Sequence, residues 1–283
     1  MTATPREWHW TLSAPAVAVD WMASQTGLPK SRLKDAMNKG AVTLKRGRKG
    51  VRRLRRATFR LLPGDVLSLY YDASILAARP EAEPEILGVH CGQVQVFKPS
   101  GWLSQGSPWG DHLSLERWLT QHGFPDARVV HRLDRETAGV MVFARTRHAA
   151  ATLGRLFQSR DVTKVYRACV RGTLAQTMTL DLPLDGKPAR SHVVPLRPSG
   201  HDTLVRVEIE TGRFHQVRRH LESAGHPVLG DPRYGEDNAH PDGLMLLAWA
   251  LTYRCPECGA RQSLTIPQSR QPGWSRDDPE TGP

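Results

Sequence analysis

The strongest constraint on the fold is a polar segment that stands between two short apolar runs. From position 129 to 144 the sequence reads VVHRLDRETAGVMVFA. Residues 129–130 and 140–144 are β-branched or apolar, which predicts two buried strands. The segment between them, HRLDRETAG, carries six side chains that bear charge or donate a hydrogen bond. Burying so many polar groups in a hydrophobic core would be unfavourable, so core packing does not explain the polarity of this loop.

Length and composition restrict the class of protein. A chain of 283 residues is long enough for one large and one small domain, or for two of medium size. With 39% hydrophobic and 24% charged residues, it is expected to be soluble and globular. No stretch approaches the ~20 apolar residues that span a bilayer, and the N-terminus is a poor signal peptide, so we expect a cytoplasmic protein without a membrane partner. Four cysteines are too few and too scattered for a disulfide framework.

The net charge of +11 is concentrated in one segment. Residues 30–60 contain thirteen of the 39 basic residues and a single acid, Asp35. Apolar residues such as Leu33, Val42 and Leu54 are spaced through this segment, so it can fold and need not be a solvated basic arm. A folded basic patch of this density is typical of polyphosphate binding, and its affinity should depend strongly on salt.

Residues 16–71 have the pattern of a small separate domain. They predict a helix, a turn at 27–29, and a second helix capped by Ser31 and stopped by Gly40, followed by a strand. A turn at 63–64 then leads into another strand. This order, carried by GLPKSRLKDAMNKGAVTL and LLPGDVLSL, resembles the S4 RNA-binding module. The whole chain then divides into five segments: a tail (1–15), the S4-like domain (16–71), a linker (72–85), the main domain (86–268) and a disordered tail (269–283).

Within the main domain, one stretch predicts a strand followed by a helix. LVRVEIETGRFHQVRRHLESAG alternates in its first half and has helical spacing in its second half, from about Phe214 to Ala224. Phe214, Val217 and Leu221 are expected to form the buried stripe of this helix. His215 and Arg218 would share a different face.

Five stretches together resemble one family. In chain order they are FKPSG, HRLDRETAGVMVFA, KVYRACVRG, LDGKPARS and TGRFHQVRRHLESAGHPVLGDPRYG. They closely resemble the motifs of RluA-type pseudouridine synthases, over roughly residues 88–266. The resemblance implies an α+β fold, with a mixed, mostly antiparallel central sheet, helices and a cleft. It also implies an isomerase that converts uridine in RNA to pseudouridine.

The resemblance implies roles for individual residues. Asp134 matches the catalytic aspartate, as a nucleophile or as a base, and nearby cations favour its charged form. Arg218 would pair with Asp134 through its guanidinium group. Tyr166 would lie against the target base, and Arg132 would fill the gap left by the flipped uridine. Further RNA contacts are expected from Lys98, Lys164, Arg213 and His215 in the main domain and from Arg52, Arg53, Arg55 and Arg56 in the basic segment.

Three departures from the family pattern stand out. Ala138 occupies a position where serine is usual, and Leu247 one where histidine is common. The third is Cys255-Pro256-Glu257-Cys258, a C-x-x-C spacing typical of half a zinc site, but the chain has no second such pair. His226, His240 or Cys91 would complete a site only if folding brought them near. We therefore expect two free thiols in a β-turn, and neither a metal nor another cofactor.

The expected partner is RNA, with ribosomal RNA favoured over transfer RNA, and the chain is expected to act as a monomer. One alternative is an RNA-binding or assembly protein that keeps the fold without catalysis. A second is a nucleic-acid glycosylase, which also needs a base-flipping pocket and a carboxylate. The joint presence of Asp134, Tyr166 and Arg218 argues against the first, and the motifs give the second no support.

Overall fold

The computed structural model describes residues 4–159 and 161–276. The chain divides into two compact units, one of residues 1–81 with 105–123 and one of residues 82–104 with 124–283. None of the described helices is both long enough and apolar enough to cross a membrane.

The first unit is built on a four-stranded sheet with the order β1-β6-β3-β4, beside a two-stranded sheet, β2-β5. Its strands are β1 (Arg6–Thr11), β2 (Ala16–Val17), β3 (Val42–Lys45), β4 (Arg52–Arg53), β5 (Arg60–Leu61) and β6 (Val66–Tyr71). Its helices are α1 (Ala18–Thr26), α2 (Lys30–Asn38), α3 (Ala73–Ala77) and α4 (Leu115–Gln121).

The turn and helix signals of the first unit are largely confirmed. Gly27 ends α1 in the left-handed conformation, with φ of 69°. The predicted cap at Ser31 is wrong, because α2 already begins at Lys30 and extended Pro29 takes the capping position without a side-chain acceptor. Gly40, with φ of 79°, follows the end of α2 as expected.

Two segments expected to be irregular contain regular structure. Residues 6–11 of the predicted tail form β1, which pairs antiparallel with β6, and Trp8 and Trp10 pack against the apolar core of the unit. Residues 1–3 lie outside the described part of the chain. In the predicted linker, Asp72 accepts hydrogen bonds from the backbone of the first turn of α3, which Leu76 holds against the core.

The second unit is built on a ten-stranded sheet. Its main path has the order β12-β13-β14-β11-β15-β10-β8-β7, with β16 paired to β15 and β9 to β10. β10 and β15 run parallel over two residue pairs, and the other pairings are antiparallel, so the predicted mixed, mostly antiparallel α+β fold is confirmed. The strands are β7 (Glu85–His90), β8 (Gln93–Lys98), β9 (Arg128–Val129), β10 (Ala138–Ala144), β11 (Thr163–Val170), β12 (Met178–Leu180), β13 (Ser191–Ser199), β14 (Asp202–Ile209), β15 (Leu246–Arg254) and β16 (Arg261–Thr265).

The helices of this unit are α5 (Arg147–Gln158) and α6 (Gln216–Ser223). Helix α6 is shorter than predicted, because His215 takes a left-handed conformation at its start. Phe214 therefore lies outside the helix, 56% exposed, whereas Val217 and Leu221 are buried as predicted. The expectation that Phe214 belongs to the buried stripe was wrong.

The predicted disordered tail falls partly outside the described residues, since 277–283 are not described. Residues 268–270 and 273–275 form two short 3₁₀ turns. Trp274 packs against the core of the second unit, and Arg167 donates a hydrogen bond of 2.9 Å to the carbonyl of buried Ser275. An apolar ring and a buried hydrogen bond thus hold part of a segment whose composition suggested disorder.

Candidate active site

The polar loop between β9 and β10 borders a cavity of about 80 Å³ in the second unit. The flanking strand β10 is buried along almost its whole length, which gives this loop a rigid base. Six of the residues predicted for the site line the cavity: Arg132, Asp134, Tyr166, Arg213, His215 and Arg218.

A buried lysine holds this loop against the turn that follows β8. Lys98 is completely buried, and its Nζ donates hydrogen bonds to the carbonyls of Pro99, Trp102 and Arg135, at 3.1, 2.7 and 3.0 Å. Burial lowers the pKa of Lys98 to about 7. Lys98 was expected to contact RNA, but in the structure its ammonium group faces three carbonyls inside the unit.

Ser104 makes a second connection to the same loop. Its hydroxyl accepts a hydrogen bond from the backbone N–H of Leu133 and donates one to the carbonyl of Leu133, both at 3.0 Å. The backbone N–H of Gly101 donates to the carbonyl of Arg135 at 2.9 Å. The FKPSGWLS stretch thus fixes the backbone on both sides of Asp134.

His131 ties the start of the loop to β10. Its ring stacks on Phe157 at 4.3 Å between centroids, and its Nε2 accepts a hydrogen bond of 3.1 Å from the backbone N–H of Val142. Burial, with a smaller contribution from Lys164, lowers the pKa of His131 to about 3. His131 is therefore a neutral structural residue.

Gly139 lets β10 approach β15 closely at the far end of the loop. Its φ is +144°, and a Cβ placed on it would lie 2.6 Å from the Cβ of Ala248 and even nearer to the carbonyl oxygen of that residue. Ala248 also pairs in register with Tyr166. This close approach brings the strand that carries Tyr166 next to the loop that carries Asp134.

Arg218 is oriented by a carboxylate that sequence reasoning did not identify. Its Nε and Nη2 donate to the two oxygens of Asp231 at 2.6 and 2.7 Å, and both side chains are buried. Its Nη1 lies 3.5 Å from Oδ2 of Asp134. The expected contact between Arg218 and Asp134 is therefore present as a single longer one, and the bidentate partner of Arg218 is Asp231.

The charge of this buried arginine is maintained by its partner. Burial opposes the charged form of Arg218, but the hydrogen bonds and negative charge of Asp231 outweigh it and raise the pKa of Arg218. Asp231 also accepts hydrogen bonds from the backbone N–H groups of Arg233 and Tyr234. The motif LGDPRYG supplies this residue, and an aspartate directly before a proline turn was the sequence signal that could have marked the position.

His215 lies beside both Arg218 and Asp134. Its Nε2 is 3.2 Å from Nη1 of Arg218 and 3.7 Å from Oδ2 of Asp134, and its Nδ1 is 3.1 Å from the hydroxyl of Tyr234. Burial lowers the pKa of His215, against the opposing effect of Asp134. A neutral ring that accepts from Arg218 at Nε2 and donates from Nδ1 to Tyr234 satisfies these neighbours.

Tyr166 lies in β11 and borders the cavity from the sheet. Burial, and secondly the negative charge of Asp134, raise the pKa of Tyr166 well above its ordinary value. Its hydroxyl therefore keeps its proton at neutral pH. Thr137 also lines the cavity, and its buried hydroxyl has no hydrogen-bond partner among the described residues.

The remaining predicted contacts are distributed differently. Arg132 is exposed at the cavity, and Arg213 donates to the carbonyl of Pro188 at 3.1 Å. Lys164 is buried at the start of β11, so the structure does not present it as a surface cation. Ala138 and Leu247, the two departures from the family pattern, are register partners on β10 and β15.

In the first unit, the four predicted arginines divide into two pairs. Arg52 and Arg56 are exposed. Arg53 and Arg55 both form salt bridges with Asp111, and Arg53 also donates to the carbonyl of Ser107 at 2.6 Å. The second pair thus has contacts within its own unit that the sequence did not reveal.

The geometry combines a partly exposed carboxylate, a phenol and a buried guanidinium around one small cavity. Carboxylates placed in this way act as nucleophiles or bases, and a flat ring supports a base taken out of its stack. Among the described residues that line this cavity, no three His, Cys, Asp or Glu side chains are grouped closely enough to hold a metal ion together.

Comparison with solved structures defines the class of the fold. The structure of human RNA pseudouridylate synthase domain containing 1 superposes with a TM-score of 0.59 at 26% identity, and covers 70% of this chain and 89% of that one. Human RNA pseudouridylate synthase domain containing 4 gives a TM-score of 0.53 at 24% identity and supports the same fold. The fold is that of the pseudouridine synthases.

Sequence comparison identifies the family. A family model described as RNA pseudouridylate synthase matches residues 94–223. The dual-specificity RNA pseudouridine synthase RluA of Vibrio parahaemolyticus is 35% identical over 195 residues, 61% of this chain and 78% of the relative. The ribosomal large subunit pseudouridine synthase D of Nitrosomonas europaea is 35% identical over 192 residues, 58% of this chain. The chain belongs to the RluA-type RNA pseudouridine synthase family, as the motifs predicted.

The chain spans 56% of the length of the Nitrosomonas relative and 61% of the length of a similar protein from Chloroflexus aurantiacus, described as an RNA pseudouridine synthase.

Proposed function

We propose that this protein isomerises specific uridines in RNA to pseudouridine, with Asp134 as the catalytic carboxylate. The observation that carries the proposal is the position of Asp134 at the cavity. Its Oδ2 lies 3.5 Å from Nη1 of Arg218, and Arg218 is itself oriented by its hydrogen bonds to Asp231. A carboxylate fixed in this way is pre-organised for reaction at a sugar or base.

The reaction conserves all atoms of the nucleotide. The bond between N1 of uracil and C1′ of the ribose breaks, and a bond forms between C5 and C1′. C5 loses its proton, and N1 gains a proton. Asp134 would act at the sugar or at the base. Tyr166, which keeps its proton, would support the ring and assist proton transfer. The reaction needs no electron donor or acceptor, so its atoms and electrons balance with these side chains alone.

Arg132 is proposed to stabilise the RNA after the uridine has left its stack. Its side chain is exposed beside the cavity, the position from which a guanidinium plane can stack on neighbouring bases. Unstacking costs a few kcal/mol, which such contacts must offset. Arg213 and His215, which line the same cavity, are proposed to contact the flipped nucleotide.

The proposed substrate is ribosomal RNA, with transfer RNA as the second candidate. The Nitrosomonas relative is named a ribosomal large subunit enzyme, which favours the first. The first unit is proposed to act as an S4-like RNA-binding domain, because its two helices, α1 and α2, are followed by a segment in which Arg52 and Arg56 are exposed.

Mapping of pseudouridine in cellular RNA tests this function. A strain that produces the wild-type protein should show at least one pseudouridine that is missing from a strain with Asp134→Ala. Asp126→Ala is a matched control, because Asp126 is an exposed aspartate outside the cavity. Identical maps for wild type and Asp134→Ala would favour an RNA-binding protein that keeps the fold without catalysis. A free uracil base as the product would favour a glycosylase.

A further inference from the structure

Three cysteines and one histidine meet at one end of the second unit, away from the cavity. His90 is the last residue of β7, and Cys91 lies in the turn to β8. Cys255 directly follows β15, and Cys258 lies in the turn to β16. One ligand atom from each of these four residues lies within 4.8 Å of all the others. The tips of two hairpins therefore supply two ligands each.

The spacing of these atoms matches a tetrahedral metal site. The Nε2 atom of His90 is 3.2 Å from the Sγ of Cys258 and 3.4 Å from the Sγ of Cys91. A tetrahedral zinc ion with Zn–S bonds of about 2.3 Å and a Zn–N bond of about 2.0 Å separates sulfur from nitrogen by roughly 3.5 Å and two sulfurs by roughly 3.8 Å. One ion at the centre would bind all four atoms through four coordinate bonds.

The surroundings support thiolate ligands. The side-chain amide of Gln93 donates to the Sγ of Cys255 at 3.1 Å, and the other end of that amide accepts from the hydroxyl of Tyr253. All three side chains are buried. Donors that point at sulfur stabilise a metal-bound thiolate and fix its orientation.

The two hairpin tips are also shaped to fit each other. The carboxylate of Glu257 accepts a hydrogen bond of 3.1 Å from the backbone N–H of Gly92. A Cβ on Gly92 would lie 2.8 Å from the Cβ of Ala149 and in conflict with Glu257. Glu257, between the two cysteines of the C-x-x-C turn, therefore needs a glycine next to Cys91.

A disulfide explains this cluster less well. It would join two of the three sulfurs, leave the third without a use, and give no reason for the imidazole nitrogen that faces Cys91 and Cys258. The sequence favoured free thiols, because it offered no second C-x-x-C pair. The fold supplies the missing half from an adjacent histidine and cysteine, a pattern that sequence spacing does not reveal.

We propose that His90, Cys91, Cys255 and Cys258 bind one structural Zn²⁺ ion that joins the β7–β8 and β15–β16 hairpins. Three thiolates and one imidazole close the coordination sphere, which is typical of structural and not of catalytic zinc. The site lies at the Gln93 end of β8. Lys98, which holds the polar loop between β9 and β10, lies at the other end of the strand, roughly 17 Å away. Zinc would therefore stabilise the sheet without taking part in the reaction.

The test is the metal content of untagged protein, purified under reducing conditions with zinc supplied during growth and dialysed against a weak chelator. Mass spectrometry of the metal should find about one zinc per wild-type chain. Cys91→Ser and Cys258→Ser, both at exposed positions, should lower the occupancy by about tenfold or more. Cys169→Ala is the control, because Cys169 is buried in β11, outside the cluster, and should keep the wild-type content.

Two further readouts separate metal loss from misfolding. Replacement of zinc by Co²⁺ should give the visible absorption of a tetrahedral thiolate site in the wild type and in Cys169→Ala, but not in Cys258→Ser. A strong chelator should lower the melting temperature of the wild type and leave that of Cys258→Ser unchanged. Absence of stoichiometric zinc and of the cobalt spectrum in folded wild-type protein would overturn the proposal. So would retention of a full equivalent by both serine variants, or a chain mass lower by two hydrogens without metal.

Discussion

Arg218 is held by both oxygens of Asp231 at 2.6 and 2.7 Å, while its contact with Asp134 is a single one of 3.5 Å. The buried pair thus orients one guanidinium nitrogen toward the proposed catalytic carboxylate. Asp231 is a positioning residue, because it acts on the site through Arg218.

Asp231→Asn should therefore impair both folding stability and reaction. The amide would leave a buried guanidinium without its charge partner and present a donor to the N–H groups of Arg233 and Tyr234, at a cost of about 3–5 kcal/mol in the free energy of unfolding. At a temperature where circular dichroism still shows folded protein, the single-turnover rate should fall by about 100-fold, since Arg218 loses its orientation.

The exposed pair of Asp185 and Arg219 provides the control for this variant. Their contact of 3.0 Å lies at the surface, where solvent screens the charges and such pairs contribute little to stability. Asp185→Asn should leave rate and stability close to those of the wild type. An equal effect of the two substitutions would contradict the positioning role of Asp231.

Gly139→Ala should be strongly destabilising. The new Cβ would collide with the backbone of Ala248, which belongs to a buried strand and cannot move aside, and the φ of +144° is strained for alanine. Gly154→Ala, in α5 with no atom near the added Cβ, should instead be neutral or stabilise by up to about 1 kcal/mol. Urea unfolding of both variants measures the difference, and similar stabilities would show that β10 and β15 do not approach each other closely at this position.

Lys98 should give the protein a pH-dependent stability. Its pKa is lowered by burial to about 7 from an ordinary value of 10.5, so between these values the unfolded chain binds a proton that the folded chain lacks. The free energy of unfolding should therefore rise with pH in this interval, by at most about 1.4 kcal/mol per pH unit, and the contribution is lost as pH falls toward 7. Urea unfolding at pH 7, 8 and 9 should show the wild type gaining stability relative to Lys98→Met, and parallel curves would disprove the effect.

The basic segment should contain two groups of arginines, one that binds RNA and one that stabilises the unit. Replacing exposed Arg52 and Arg56 by glutamine should weaken RNA binding and reduce the slope of log K against log salt by about 0.7–0.9 for each phosphate that is no longer neutralised. Replacing Arg53 and Arg55, which pair with Asp111, should mainly lower the melting temperature. Fluorescence anisotropy at several salt concentrations checks the slope, and an unchanged slope for the first pair would place the RNA elsewhere.

Much of the fold was accessible from local sequence signals. The apolar runs at 129–130 and 140–144 lie in or next to β9 and β10, and the alternation at Val205, Val207 and Ile209 became β14. These predictions succeeded because strand periodicity and burial are properties of a few consecutive residues. Trp8 and Trp10 carried the same alternation, so the missed strand β1 was also within reach.

Pairings between distant residues were not accessible in this way. From the sequence Lys98 was expected at the surface, but three carbonyls from two loops surround it. Phe214 was expected in the core, but α6 begins only at Gln216, after the left-handed residue His215. Asp231 and the His90–Cys91 pair likewise gain their partners only from folding, since spacing along the chain does not encode which hairpins meet.

Release of tritium from RNA labelled at C5 of uridine tests the central claim most directly, because C5 must lose its hydrogen when it bonds to the ribose. The wild-type protein should release tritium from its substrate RNA. Asp134→Asn, which keeps the size and the planar shape of the side chain but not its charge, should bind the same RNA and release none. Release by Asp134→Asn at the wild-type rate would contradict the assignment of Asp134 as the catalytic carboxylate.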